Sequence, residues 1–292
     1  MKKKTSRQIR KALQTVPQIL TARQHALPDF LILGAQKAGS TSLYVHLMQH
    51  PQIIGVARKE LHFFDYKSAL GSWWYRTNFP TKAEMARRSA ALGKPVLTGE
   101  ASPYYLFHPH AARRIARLLP DVKLIALLRN PVDRAFSHYH HEVRGGRETL
   151  SLEEALAQEP ERLHGEVEKM RAFLWYRSRA HQRYAYRARG LYIDQLLDYD
   201  RYFDRDQMLI LPSEAFYADT QAVYSRVLDF LGLDPFTLPD LKPRNAGQYA
   251  KNDPAIEAGL HDFFEPHNQR LFDFLGEDFG WRRPERLSQP AG

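Results

Sequence analysis

The chain of 292 residues contains no cysteine. That excludes a disulfide scaffold, thiolate nucleophiles and cysteine-ligated zinc or iron–sulfur centres. Long apolar runs are missing too. The longest, such as FLIL (30–33) and LIALL (124–128), fall far short of the ~20 residues that a membrane-spanning helix needs. There is also no acidic residue before Asp29. Seven of the 42 Lys and Arg lie in that acid-free stretch, which leaves 35 against 33 Asp and Glu in the remainder. The net charge of +9 therefore belongs mostly to an N-terminal arm, and the body is not marked as a nucleic-acid binder.

The arm begins like a secretory signal at Lys2–Lys4, but Arg10, Lys11, Gln14 and Pro17 interrupt any apolar core of such a signal. Ile9, Leu13 and Val16 share one helical face opposite Lys and Arg. That pattern suits either weak contact with an anionic membrane surface or a solvated lead-in. The lack of a spanning segment leads us to expect a cytoplasmic protein, at most peripheral to the membrane.

What is present is a core-forming composition: 43% hydrophobic and 12% aromatic residues, too much for a disordered or low-complexity chain. Residues 29–34 (DFLILG), 96–100 (VLTGE), 122–128 (VKLIALL) and 207–212 (QMLILP) read as strands, the third fully apolar and central. Helices are expected over 42–49, over 108–120 with Pro109 in the first turn, after Asn130–Pro131, from the Ser151/Glu154 capping box, through most of 166–199, and over 219–231 and 255–275. Gly232 and Gly276 end the last two. Residues 238–254, rich in Pro, Asn and Gly, read as a flexible stretch. Strands alternating with helices predict an α/β fold: a single domain over 28–282 with a mostly parallel central sheet flanked by helices, an arm over 1–27 and a tail over 283–292.

The first strand runs into Gly34-Ala35-Gln36-Lys37-Ala38-Gly39-Ser40-Thr41-Ser42 and then a helix. Backbone amides and a positive helix end face an anion in such a turn, and glycines let the backbone approach closely. The spacing of Gly34 and Gly39 mimics a nucleotide-binding P-loop, but that motif needs lysine directly after the second glycine. Ser40 stands there, and the lysine lies inside the loop at Lys37. A kinase or ATPase would also need Mg²⁺ ligands, and the strand 122–128 ends in Arg129 rather than an acid.

The segment GAQKAGSTSLYVHL resembles the 5′-phosphosulfate loop of sulfotransferases that use PAPS (3′-phosphoadenosine 5′-phosphosulfate). The likeness is greatest to the sulfotransferase domains of the heparan sulfate N- and 3-O-sulfotransferases and their bacterial relatives. It continues through RKELHFFD (58–65), WWYRTNFP (73–80), GEASPYYL (99–106), LLRNPVDRAFSHY (127–139), RGLYIDQL (189–196) and FFEPHNQRLFDFLGEDFGW (263–281). The resemblance implies a P-loop-like fold, PAPS as donor with PAP as product, no required metal, and a bacterial enzyme that sulfates a hydroxyl or amine of a glycan or glycolipid acceptor, with a lipid-linked or natural-product acceptor left open.

It also assigns roles. Lys37 would serve the leaving oxygen, and Gln36, Ala38, Gly39, Ser40, Thr41 and Ser42 would line the 5′-phosphate loop. Arg129 and Ser137 would bind the 3′-phosphate, where arginine offers a planar fork of donors. Tyr192 and the loop residues Arg244, Gly247 and Tyr249 match later cofactor contacts. Glu60, in the family's E-x-x-F-F segment, would be the general base, and His62, with its near-neutral intrinsic pKa, is the rival. Glu100 would either orient Lys37 or contact the acceptor, and Trp74 and His62 are further candidates for acceptor contact. Ala101 stands where the heparan 3-O enzymes have lysine, which departs from their acceptor site.

Other readings stay open beside this one. They are a P-loop-type kinase or NTPase, and a non-catalytic module that binds polyanions. The run Ser137-His138-Tyr139-His140-His141-Glu142 lacks the second histidine of H-E-x-x-H, so no metal site is expected. Arg171, Arg177, Arg179, Arg183, Arg187 and Arg189 suit either an acidic acceptor or a solvated helix face. Trp73, Trp74 and Tyr75 suit either sugar stacking or core packing.

Overall fold

The computed structural model describes residues 20–56, 60–239 and 253–282. Five strands run parallel in one sheet: β1 (Phe30–Gly34), β2 (Ile53–Ile54), β3 (Leu97–Ala101), β4 (Lys123–Leu128) and β5 (Met208–Pro212). Their order is β2-β3-β1-β4-β5. Helices connect them, as parallel neighbours require. These are α1 (Ser40–Leu47), α2 (Gly71–Arg76), α3 (Lys82–Leu92), α4 (Ala111–Leu118), α5 (Pro131–Arg144), α6 (Leu152–Leu163), α7 (Glu166–Ala172), α8 (Arg179–Arg183), α9 (Tyr192–Asp200), α10 (Ser213–Ala218), α11 (Thr220–Leu231) and α12 (Pro254–Leu275). The α/β architecture is the expected one.

The strands carry little polar residue because both faces are covered. Every residue of β1 is buried, and β4 is buried from Leu124 to Leu128. β4 is interior, but β1 rather than β4 holds the centre, with β3 and β4 on either side. The main core joins these strands to Leu43, Leu47, Tyr75, Tyr105, Tyr199 and Tyr224. A second cluster gathers Val132, Phe136, Tyr186 and Phe264 between α5, α6 and α12.

Several boundaries follow local chemistry. The Asn130 side chain accepts from the Val132 amide with Pro131 at the first helical position, and Ser151 with Glu154 closes a reciprocal capping box. α1 starts two residues earlier than expected because Gly39 forms its N-cap. α4 starts later, at Ala111, so Pro109 precedes the helix instead of sitting in its first turn.

The stretch 166–199 is broken into α7, α8, a 3₁₀ turn and α9. Two buried glutamates hold the breaks, one by taking backbone amides that a continuous helix would use and the other by taking side-chain hydroxyls. Glu159 accepts from the Arg187 and Ala188 amides at 2.8 to 2.9 Å, and Glu166 accepts from the Ser178 and Tyr176 hydroxyls. The expected flexible stretch falls mostly outside the described residues.

Candidate active site

The loop after β1 and the segment before α2, which follows β2, leave the sheet on either side of β3. The three strands run the same way, so these loops share one edge of the sheet. In open parallel sheets that carboxyl edge is where ligands bind.

The β1 loop needs its glycines. Gly39 sits at φ +97, and a Cβ there would lie 2.9 Å from the Tyr217 hydroxyl. Gly34 sits at φ +153, and a Cβ there would meet the Pro103 carbonyl oxygen at 2.9 Å. Neither conformation suits a side chain. The loop is pinned from below. The Ala35 amide donates to the Leu127 carbonyl at 2.6 Å, and the Ser213 hydroxyl to the Ala38 carbonyl at 2.8 Å. Gln36 accepts from the buried Arg189, whose guanidinium also donates to the His181 and Gln182 carbonyls. Burial brings the Arg189 pKa down to about 10.

Ser40 and Ser42 are buried at the start of α1, with Thr41 half-buried. Arg129 reaches over from the end of β4, its Nη1 3.4 Å from the Lys37 carbonyl oxygen. Tyr192 is buried and donates to the Arg129 carbonyl at 2.9 Å, so its hydroxyl holds the strand end that carries Arg129. Ser137 is buried on α5. The backbone amides, hydroxyls, Lys37 and Arg129 together form a cradle whose chemistry fits a phosphorylated anion.

The Glu60–Asp65 segment is built differently. Its amides are captured by side chains from and beside β3: Leu61 N–H donates to Glu100 Oε2 at 3.3 Å, His62 N–H to Ser102 Oγ at 3.2 Å, and Phe63 N–H to the Tyr105 hydroxyl at 2.8 Å. Glu100 is the hub, accepting also from Tyr75, Tyr105 and Ser102 at 2.8 to 2.9 Å. Burial raises the Glu100 pKa, and these donors oppose the rise. The expected acceptor contact at Glu100 therefore meets a carboxylate at 0% exposure that braces the segment bearing Glu60.

His62 lies between two carboxylates. Its Nδ1 is 2.6 Å from Asp65 Oδ2 and its Nε2 is 3.5 Å from Glu60 Oε2. Burial alone would lower its pKa. The hydrogen bonds to Asp65 and Glu60, with their charges, outweigh burial and lift it to about 9. Asp65 is fully buried, while the Glu60 side chain is 39% exposed and open to a reactant. Phe63–Lys67 then form one π-helical turn, tied by Arg114 to the Phe64 and Asp65 carbonyls. Such turns recur at functional sites.

Among the described residues, the non-glycine residues at positive φ are Lys37 (73), Glu60 (53) and His62 (55). The left-handed region is costly for a side chain and persists only where surroundings enforce it. Trp74 is half-buried against the core, stacked with Phe63 at 6.3 Å under the Lys67 ammonium, and Tyr75 is fully buried. The Arg171–Arg189 set is not one surface. Arg187 pairs with Glu159 at 3.6 Å and Arg189 is buried, while Arg171, Arg177 and Arg179 are exposed. In the histidine run, Glu142 is paired with Arg147 at 2.6 Å and His138 is buried against Tyr186. Arg244, Gly247 and Tyr249 lie outside the described residues.

Sequence reasoning missed Asp65 as the partner of His62, Arg189 as the support of Gln36, and Ser102 and Tyr105 as anchors of the Glu60 segment. The spacing of Asp65 three residues after His62 was the one available signal.

Comparison with known proteins gives this geometry a context. The family described as "Sulfotransferase domain" matches residues 27–244. The membrane-associated sulfotransferase kil1 of Dictyostelium discoideum is 25% identical, over 88% of this chain and 67% of its own length. Human heparan sulfate glucosamine 3-O-sulfotransferase 6 is 31% identical, over 87% of this chain and 73% of its own. The crystal structure of a sulfotransferase from Alicyclobacillus acidocaldarius superimposes with a TM-score of 0.67 at 36% identity, covering 88% of this chain and 100% of that one. On the sheet order, the glycine loop and these matches, the chain belongs to the sulfotransferase domain family and is an enzyme that transfers sulfuryl groups.

Proposed function

We propose that the enzyme moves a sulfuryl group from PAPS to a hydroxyl or amine of a carbohydrate acceptor, with Glu60 as general base. The observation that carries this reading is the coincidence of Lys37, Glu60 and His62 in the left-handed region on the loops after β1 and β2, which leave the same edge of the sheet. Three side chains whose types suit leaving-group stabilisation and proton removal are held where the backbone resists. A carbohydrate acceptor is favoured by the similarity to the human heparan sulfate glucosamine enzyme.

PAPS supplies an activated sulfuryl group whose transfer leaves negative charge on a phosphate oxygen. Lys37 meets that charge as a cation. The loop amides with Gln36, Ala38, Gly39, Ser40, Thr41 and Ser42 hold the 5′-phosphate, and Arg129 with Ser137 the 3′-phosphate. Tyr192 keeps Arg129 in place. Arg244, Gly247 and Tyr249 are proposed to complete the donor site, and Trp74 to flank the acceptor.

Glu60 takes the acceptor proton. His62 is a poor base near neutral pH because Asp65 and Glu60 hold it protonated up to about pH 9. As an imidazolium it orients Glu60 across 3.5 Å. Glu100 steadies the same segment from within the core.

The test is transfer of labelled sulfate from PAPS into a panel of glycans, lipids and small alcohols. Label in a glycan, lost in Glu60→Gln, supports the reading. Label only in non-sugar acceptors would overturn the acceptor class. PAPS that neither binds nor donates would overturn the donor.

A further inference from the structure

Between α7 and α8 the chain turns through Phe173, Leu174, Trp175 and Tyr176, and all four side chains face water. Phe173 is 64% exposed, Leu174 53%, Trp175 78% and Tyr176 38%. The other large exposed apolar residues, such as Leu92, Val143 and Tyr202, occur singly. Scattered apolar residues are ordinary on a surface, but a contiguous group marks an interaction site.

The turn is held firmly at its base. The Tyr176 amide donates to the Phe173 carbonyl at 2.8 Å. The Tyr176 hydroxyl and Lys169 donate to Glu166 at 2.7 and 2.9 Å, and the Ser178 hydroxyl joins them. Arg177 lies over the Tyr66 ring at 3.8 Å, and Tyr66 stacks on His62 at 4.7 Å. The structure thus fixes the ends of the turn, leaves its apolar tip outside, and sets it beside the candidate active site.

An apolar tip alone would suit many partners, and the surrounding charge decides between them. From Glu166 to Arg183 there are five Lys or Arg against two Glu, and Glu166 is consumed within the turn. Arg171, Arg177 and Arg179 are exposed on either side of the tip. Trp and Tyr settle at the level of lipid headgroups, and flanking arginines gain from anionic lipid beneath them.

We propose that the Phe173–Tyr176 turn docks the enzyme on an anionic phospholipid surface. Leu174 and Trp175 enter the boundary between headgroups and acyl chains, and Arg171 and Arg179 rest on lipid phosphates. Docking this way brings the Tyr66–His62 side of the site to the membrane surface. It is separate from any contact made by the basic arm, and independent of which donor or acceptor the site takes.

The test is co-sedimentation of the full chain with vesicles of phosphatidylcholine alone or with phosphatidylglycerol added. The wild type should pellet with the anionic vesicles. Leu174→Ser with Trp175→Ser should weaken that partition roughly tenfold or more, with unchanged thermal melting because both side chains are exposed. Arg171→Gln with Arg179→Gln should weaken it less and flatten its salt dependence. Lys2→Gln, Lys3→Gln and Lys4→Gln together should leave the tip-dependent part intact.

Three outcomes would overturn the proposal. The wild type could stay in the supernatant. The Leu174/Trp175 variant could pellet as well as the wild type, which would place binding in the arm. Light scattering could show wild-type dimers that the variant abolishes, which would make the tip an interface between copies of the chain.

Discussion

The loop after β1 and the segment before α2 stand at one sheet edge on either side of β3 but are made by different means. The Gly34–Ser42 loop presents main-chain amides and cations around locally set glycines, and Leu127, Arg189 and Ser213 pin it from below. Glu60–Asp65 presents carboxylates around one histidine, and its amides are held by Glu100, Ser102 and Tyr105 from some 40 residues away. The anion-binding half carries a local motif that distant groups then pin, whereas the acid–base half has no local motif and is held by side chains from β3, the strand that pairs with β2. An anion cradle can therefore be read from spacing, because backbone and glycine chemistry define it. A proton-transfer group depends on burial and partners that spacing does not encode.

The contrast can be broken most forcefully at Glu60. Glu60→Gln should cut transfer by about 10²–10⁴ while calorimetry finds PAP affinity near wild type. If His62→Ala does this and Glu60→Gln stays active, the base is His62. The pH profile separates them too, since neutral His62 appears only as pH passes about 9. A rate that climbs through that pH belongs to a histidine base.

Lys37→Ala should lower turnover by about 10²–10³ with little change in acceptor binding. Lys37→Gly should lose as much. It relaxes the φ of 73 yet removes the cation, so retained turnover there would show that backbone form rather than charge matters. Arg129→Ala should weaken PAP by roughly tenfold to a hundredfold, and 5′-AMP, which lacks the 3′-phosphate, much less. Equal losses would remove Arg129 from the 3′-phosphate.

Smaller effects sharpen the acid–base half. The His62 pKa is raised from 6.5 to about 9, so its stabilising contribution is full below pH 6.5 and fades as pH rises through about 9. The melting-temperature gap between wild type and Asp65→Asn should accordingly be widest near the lower value and close above the upper. A gap constant across that window would show that the pair is not linked to a proton. As a remote control, Ser151→Ala should cost about 1 kcal/mol through its lost cap and leave transfer unchanged.

Much of the fold was legible. Apolar runs marked β1, β3, β4 and β5, and Asn130–Pro131, Ser151/Glu154, Gly232 and Gly276 marked helix ends, because capping is a local bargain between a side chain and the next few amides. The edge strand β2, of two residues, left no periodic trace. The break-up of 166–199 was hidden because Glu159 and Glu166 act on amides and hydroxyls ten or more residues away. Glu100 read as a strand-end carboxylate. Only its position beneath Tyr75 and Tyr105 shows that it is a buried hub.

The sequence by itself determined the α/β class, the glycine loop with its displaced lysine and the family likeness, since each rests on residues within one turn or strand of one another. Tertiary structure alone decided that His62 is clamped between Glu60 and Asp65, that Arg189 supports Gln36, and that the apolar turn at 173–176 flanks the site. Those facts depend on which distant groups are brought together out of water, where a hydrogen bond or a charge acts far more strongly than it does in solvent.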